Sequence, residues 1–154
     1  MQDLPAIEAL YKEIDATFER KRADAIAAGD AGQAEHAKAK QRLNDQAYFI
    51  LCWGQIEGFI DGACRDAIRH GRQDRNWITR RAWYLYNPDD RRVSGLSFED
   101  RAALVLDRDG AAWARLIEYY NLRNQIAHGR LRSDRLDVVR IVADFYSIQG
   151  AVGQ

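Results

Sequence analysis

Apolar residues recur along most of this chain at spacings of three and four, the period of a helix with one buried face. Ile7, Leu10, Tyr11, Ile14 and Phe18 set the pattern after a cap at Asp3 and an early Pro5, and the segment stops near Gly29. A longer segment spans roughly residues 33–70. It is polar and alanine-rich at first, which predicts an exposed half, and then runs "AYFILCWGQIEGFIDGACRDAI". There Phe49, Trp53, Ile56, Ile60, Cys64 and Ala67 make one apolar face, while Gly54, Gly58 and Gly62 recur every four residues along another. Each helical glycine costs about 1 kcal/mol relative to alanine, so the strip predicts close approach of a neighbouring helix, from this chain or from a second subunit. Asp61, Arg65 and Asp66 exclude a membrane span there.

The middle, "RQDRNWITRRAWYLYN", predicts a third helix ended by the "NPDD" turn. Ser97 with Asp100 three residues later has the form of a capping box, opening a short helix to about Leu106. After "RDG" a further helix is expected from about Ala111 to His128, with Gly129 as its stop. Its core stripe is predicted at Trp113, Leu116, Ile117 and Tyr120, and the same spacing continues into Asn124 and His128. A last helix carries Leu136, Val139, Val142, Phe145 and Tyr146. With two prolines, no β alternation and no internal repeat, the expected fold is an all-α bundle of four or five helices, one domain over residues 1–154.

Composition narrows the function classes. The 23 basic and 23 acidic residues cancel, so no overall field draws the chain to nucleic acid, and any such contact must be a local patch. Cys52 and Cys64 lie twelve apart in one predicted helix, too far for a mutual disulfide and without a histidine at metal-ligand spacing. They are expected to be buried thiols in a reducing compartment. No signal-peptide pattern and no long apolar run occur, so a cytoplasmic, water-soluble chain is the expectation.

The candidate chemistry lies in "YYNLRNQIAHGRL", residues 119–131. Asn124 and His128 are four apart and share a helix face, where the amide can hydrogen-bond the imidazole. Arg123 stands about 140° around the helix from His128, so one helix splays the pair and a second copy can unite it. A histidine that titrates near neutrality can move a proton at a ribose hydroxyl or a leaving oxygen. An arginine offers planar donors to charge building on phosphorus. The competing reading is a structural polar cluster closing a helix, with Arg123 paired to Glu57.

"LRNQIAHG" resembles the signature of the HEPN superfamily, helical-bundle proteins many of which are metal-independent endoribonucleases. Carried onto this chain, the resemblance implies catalytic roles for Arg123, Asn124 and His128, with Glu57 and Tyr120 in support. The stretch "AYFILCWGQIEGFID" is similar to the family's early, aromatic-rich helix with its glutamate, here Glu57. The resemblance further implies a homodimer in which two motifs face one another, RNA as substrate, no metal or other cofactor, and cyclic-phosphate products. A toxin-antitoxin, stress or antiviral setting, with an antitoxin or other regulatory protein, is the expected context. Toxin members neutralised by a nucleotidyltransferase carry a tyrosine two residues past the histidine, and this chain has Arg130.

Arg130 and Arg132 follow the motif and are the expected RNA contacts. Between Arg65 and Arg92, eight arginines meet four aspartates among Trp77, Trp83, Tyr84 and Tyr86, and those aromatics are expected to pack inward ahead of any role in stacking on bases. His36 and His70 sit among charges and are expected to be solvated. A non-catalytic HEPN-like module binding nucleotide, RNA or protein is the alternative to the nuclease. A purely structural helical adaptor is a third reading.

Overall fold

Helical periodicity is realised throughout the computed structural model, which describes residues 1–90, 93 and 95–153. Six helices follow in order: α1 (Leu4–Ala27), α2 (Ala31–Gly71), α3 (Trp77–Trp83), α4 (Phe98–Ala103), α5 (Ala111–Ala127) and α6 (Val138–Ala151). No strand occurs among the described residues, and the class is all-α. Each helix answers to a segment expected above, the two short ones of seven and six residues included, so the described residues hold one helix more than a bundle of four or five. No helix among the described residues is long and apolar enough to cross a membrane. Arg91 and Arg92, part of the expected arginine-rich run, lie outside the described residues.

Contacts divide the chain into two compact units, Met1–Gln55 with Tyr119–Asp144, and Ile56–Glu118 with Phe145–Gln154. In the first unit the core is aromatic. Tyr11 meets Tyr48 edge-on at 5.5 Å between ring centroids, Phe49 lies 6.2 Å from Tyr119, and Trp53 lies 5.9 Å from Tyr120. Buried aromatic pairs of this kind add about 1 kcal/mol each beyond the area they bury. Asp3 stands at the start of α1 without a side-chain capping bond, contrary to expectation. Its backbone N–H donates instead to Gln55 Oε1 at 3.2 Å.

The polar half of α2 is a larger departure. It was expected to be exposed, yet Gln41, Asp45 and Gln46 are buried. Burying a carboxylate requires a cation and hydrogen bonds. Arg135 supplies both, its Nε and Nη2 donating to the two oxygens of Asp45 at 2.8 and 2.9 Å. Tyr11 donates its hydroxyl to the same carboxylate at 3.0 Å, and the Leu136 N–H donates at 3.2 Å. Arg135 also reaches Asp15 at 2.5 Å. Burial, together with the Asp45 charge, holds the Tyr11 phenol well above its ordinary value, and the carboxylate hydrogen bonds raise Arg135 likewise.

The second unit is built on the apolar half of α2, where Ile56, Ile60, Cys64 and Ile68 are fully buried. Cys64, Ile68 and Val93 form a cluster against which Trp83, Tyr86, Leu96, Leu104 and Val105 pack. The capping box is present as expected, with Ser97 Oγ accepting from the Asp100 N–H at 3.1 Å and Asp100 accepting from the Ser97 N–H at 3.2 Å. At Gly71 a Cβ would stand 2.3 Å from the Trp83 indole, so the glycine is what lets this ring lie against the end of α2. Gly54, Gly58 and Gly62 are different: a Cβ at any of them meets nothing within 4 Å. Among the described residues no neighbouring helix of the same chain approaches them.

Two stripes also turn out rotated. On α5 the buried residues are Leu116, Tyr119 and Ile126, while Trp113, Ile117 and Tyr120 are only half-buried. On α6 they are Val138, Ile141, Val142, Phe145 and Ile148, leaving Val139 and Tyr146 exposed and Leu136 before the helix. A three-four repeat marks apolar faces, but when two overlap it does not say which one the partners cover.

Candidate functional site

The end of α5 is closed by a left-handed glycine. Gly129 adopts φ +76°, its N–H donates to the Ile126 carbonyl at 2.9 Å, and the Arg130 N–H donates to the Gln125 carbonyl at 2.9 Å. This is a Schellman closure, and it satisfies carbonyls that the helix end would leave without donors. It places His128 just past the last helical residue, Ala127, with an exposed side chain, and turns Arg130 back beside it.

A cleft of about 400 Å³ opens at this end, lined by Asn121, Asn124, Gln125, His128 and Arg130. The first four stand at i, i+3, i+4 and i+7, a single stripe of amides and one imidazole. At about 100° per residue this stripe lies nearly opposite Leu116, Tyr119 and Ile126. Asn124 and His128 thus do not prolong the core stripe; they belong to a second, solvent-facing one. Asn121 and Gln125 escaped the sequence reading, although the same spacing marks them once the stripe is taken as polar.

Asn124 and His128 share the cleft as expected, but the amide does not bond the imidazole. Asn124 Oδ1 accepts from Arg123 Nη1 at 3.1 Å. Among the described residues the His128 ring makes no hydrogen bond, and only its backbone N–H is engaged, to the Asn124 carbonyl at 3.1 Å. Arg123 is half-buried and does not line the cleft, reaching it only through Asn124. Glu57 has a cation nearby within its own unit. Its carboxylate lies 4.0 Å from Arg101, which also stands 3.2 Å from Asp61. Tyr120 is held against Trp53.

The two expected RNA-contact arginines separate. Arg130 lines the cleft. Arg132 turns its Nε and Nη2 onto the Asp134 carboxylate at 2.9 and 2.7 Å. Those bonds hold Asp134 below the usual carboxylate range. The loop carrying Arg132 is tied to α2: its N–H donates to Gln46 Oε1 at 2.9 Å, and Arg42 donates to the Ser133 carbonyl at 3.1 Å. With Asp45 on Arg135, three polar residues of α2, Arg42, Asp45 and Gln46, clamp the segment that follows the motif.

The cleft therefore presents amide donors, amide acceptors, a free imidazole and a guanidinium. No carboxylate lines it. Such a set binds an anion with hydroxyls beside it and can shuttle a proton there. Among the described residues no three His, Cys, Asp or Glu side chains gather as a metal site. The other histidines are exposed as expected, His70 with Nδ1 2.8 Å from the Asp66 carbonyl. Comparison of the chain with models of known protein families, with curated proteins and with solved structures gives no match.

Proposed function

We propose that this chain is a HEPN-type endoribonuclease that cuts RNA without a metal and acts as a homodimer. The observation that carries this reading is the exposed, unbonded His128 imidazole in a cleft of amides and one guanidinium, at the C-terminal end of "RNQIAH". In the reaction the 2′-oxygen of a ribose attacks the adjacent phosphorus while its proton passes to a base. The bond to the 5′-oxygen breaks, that oxygen takes up a proton, and a 2′,3′-cyclic phosphate remains. His128 serves as the proton-transfer group, and Arg130 meets the phosphate charge. Asn124 orients the ribose and anchors Arg123. In a homodimer the Arg123 guanidinium of one copy would serve the cleft of the other, as its displacement around α5 requires.

Purified wild type and His128→Ala are incubated with structured and unstructured RNA in EDTA, and product ends are read by mass spectrometry. Cleavage by wild type alone, leaving cyclic phosphates, is expected. Equal cleavage by both, or none by either, sinks the reading. A monomer in sedimentation removes the composite site. The proposed setting is a reducing cytoplasm, in a toxin-antitoxin, stress or antiviral system, with Arg130 in place of the tyrosine that a nucleotidyltransferase antitoxin would modify.

The second reading is a non-catalytic HEPN-like module that binds RNA, nucleotide or protein. The engagement of Arg123 by its neighbour Asn124, out of the cleft, favours it. Thermal protection by RNA or a nucleotide with no cleavage products would select it.

A further inference from the structure

Of the four aromatics expected to pack inward in the middle region, Trp83 and Tyr86 do so, while Trp77 and Tyr84 do not. α3 has no buried residue. Trp77 is 59% exposed, Tyr84 61% and Leu85 76%. Trp83 turns in, onto Gly71, and packs with Tyr86 against Cys64, Ile68 and Val93. Large apolar side chains grouped on a surface ordinarily mark a binding face.

The same stretch is the chain's local excess of positive charge. Residues 69–86 hold five arginines and one aspartate in a chain whose charges balance overall. Arg69 is paired with Asp66 and Asp89. The other four are not neutralised by any carboxylate among the described residues. Arg72 donates to the carbonyls of Trp83 and Tyr86, and Arg80 to that of Asp74, so their charges are held in place without being cancelled. Arg72 sits 5.2 Å over the Tyr84 ring and Arg81 4.8 Å over the Trp77 ring. Arg75 is exposed.

We propose that the α3 face is a binding platform for unpaired nucleic acid, with Trp77 and Tyr84 stacking on bases while Arg75 and Arg81 meet the phosphates. An acidic protein segment would satisfy the arginines but offers little to two exposed flat rings. A duplex would satisfy them equally but keeps its bases stacked on one another. An unpaired strand brings π faces and a phosphate row together, and matches both. The proposal goes beyond the nuclease reading and does not depend on it, because none of its observations concerns the cleft.

The test is fluorescence anisotropy of the full chain with a short labelled 2′-O-methyl oligonucleotide, alone and annealed to its complement. Lacking a free 2′-hydroxyl, this strand cannot be cut, so binding is read whether or not the chain is a nuclease. Tighter binding of the single strand is expected. Trp77→Ala with Tyr84→Ala should weaken it by about five- to hundredfold. Arg75→Ala and Arg81→Ala should each lower the slope of log affinity against log salt by about 0.7. Circular dichroism identical to wild type certifies the exposed-site variants as folded.

Equal affinity of wild type and the double aromatic variant overturns the proposal, as does equal affinity for the duplex. A wild-type chain that ignores the strand but holds a polyglutamate peptide through Arg75 and Arg81 assigns the face to an acidic protein instead. Self-association that disappears in Trp77→Ala assigns it to a second copy of the chain. Either result also overturns the proposal.

Discussion

Asp45 and His128 belong to the same unit, and the chain treats them in opposite ways. Asp45 is fully buried, with donors from Arg135, Tyr11 and the Leu136 backbone filling both oxygens. His128 is exposed, and its ring bonds nothing among the described residues. Both are polar groups that the local sequence could have left at a surface. The satisfied one ties residues 135–136 to α2, and the unsatisfied one stands in the cleft at the end of α5. Stability and availability are thus divided between neighbouring stretches: one polar set is consumed in holding the loop, so the other can remain open.

Removing the cation from the satisfied set should have the largest effect. Arg135→Ala leaves the Asp45 carboxylate buried against a phenol and one N–H. Breaking a buried ion pair this way costs about 3 kcal/mol, the low end of the usual range because the Arg135 side chain is itself 36% exposed. Urea unfolding should show the midpoint fall without a change in slope. Stability within about 0.5 kcal/mol of wild type would mean that Asp45 is not held as described, and would erase the contrast with His128.

The next effect comes from a buried group with no polar partner to spare. Burial, aided by the Glu8 carboxylate, pushes the Cys52 thiol up to about 11. The folded chain therefore holds this proton more tightly than the unfolded chain does. Its contribution is complete below about pH 9 and is lost as pH rises toward 11, on the order of 2 kcal/mol. Tyr11, also raised, acts in the same direction above pH 10. The difference between wild type and Cys52→Ala in stability measured from pH 8 to 11 isolates the thiol. A difference that stays constant over that range would contradict the assignment.

These buried groups show where the sequence was legible. The boundaries of α2 and α5, the Ser97 capping box and the Gly129 stop are local signals, each set by residues within four positions, and the structure follows them. Asp45 with Arg135 is a contact between residues ninety apart, and nothing near either one announces the other. The same holds for Glu57 and the Arg101 that stands near it. The exposure of Trp77 and Tyr84 is not legible because the seven residues of α3 hold two turns at most, too few for apolar spacing to distinguish an inward face from an outward one. In the candidate site, Asn124 with His128 was legible from their four-residue spacing. Asn121 and Gln125 were not, because the stripe they complete was taken for the continuation of the core.

The glycine strip of α2 offers a smaller effect of opposite sign. Gly58 is exposed, and an added Cβ there would meet nothing within 4 Å. Gly58→Ala should raise stability by up to about 1 kcal/mol, the helix-propensity gain undiminished by any clash. A thermal or urea midpoint that falls instead would mean that something outside the chain approaches this backbone in solution. The polar contrast would then have a backbone counterpart, a surface kept bare for contact.

The smallest effect on stability should be at the site that matters most for the proposed activity. His128→Ala removes a side chain with no hydrogen bond among the described residues and leaves the Gly129 closure intact, since that closure uses only backbone groups. The change in unfolding free energy should stay within about 0.5 kcal/mol while RNA cleavage disappears. A stability loss comparable to that of Arg135→Ala would place His128 in the structural set and leave the cleft without its proton carrier. Near-neutral stability with lost cleavage is the only combination in which the two polar sets are separable by function as they are by burial.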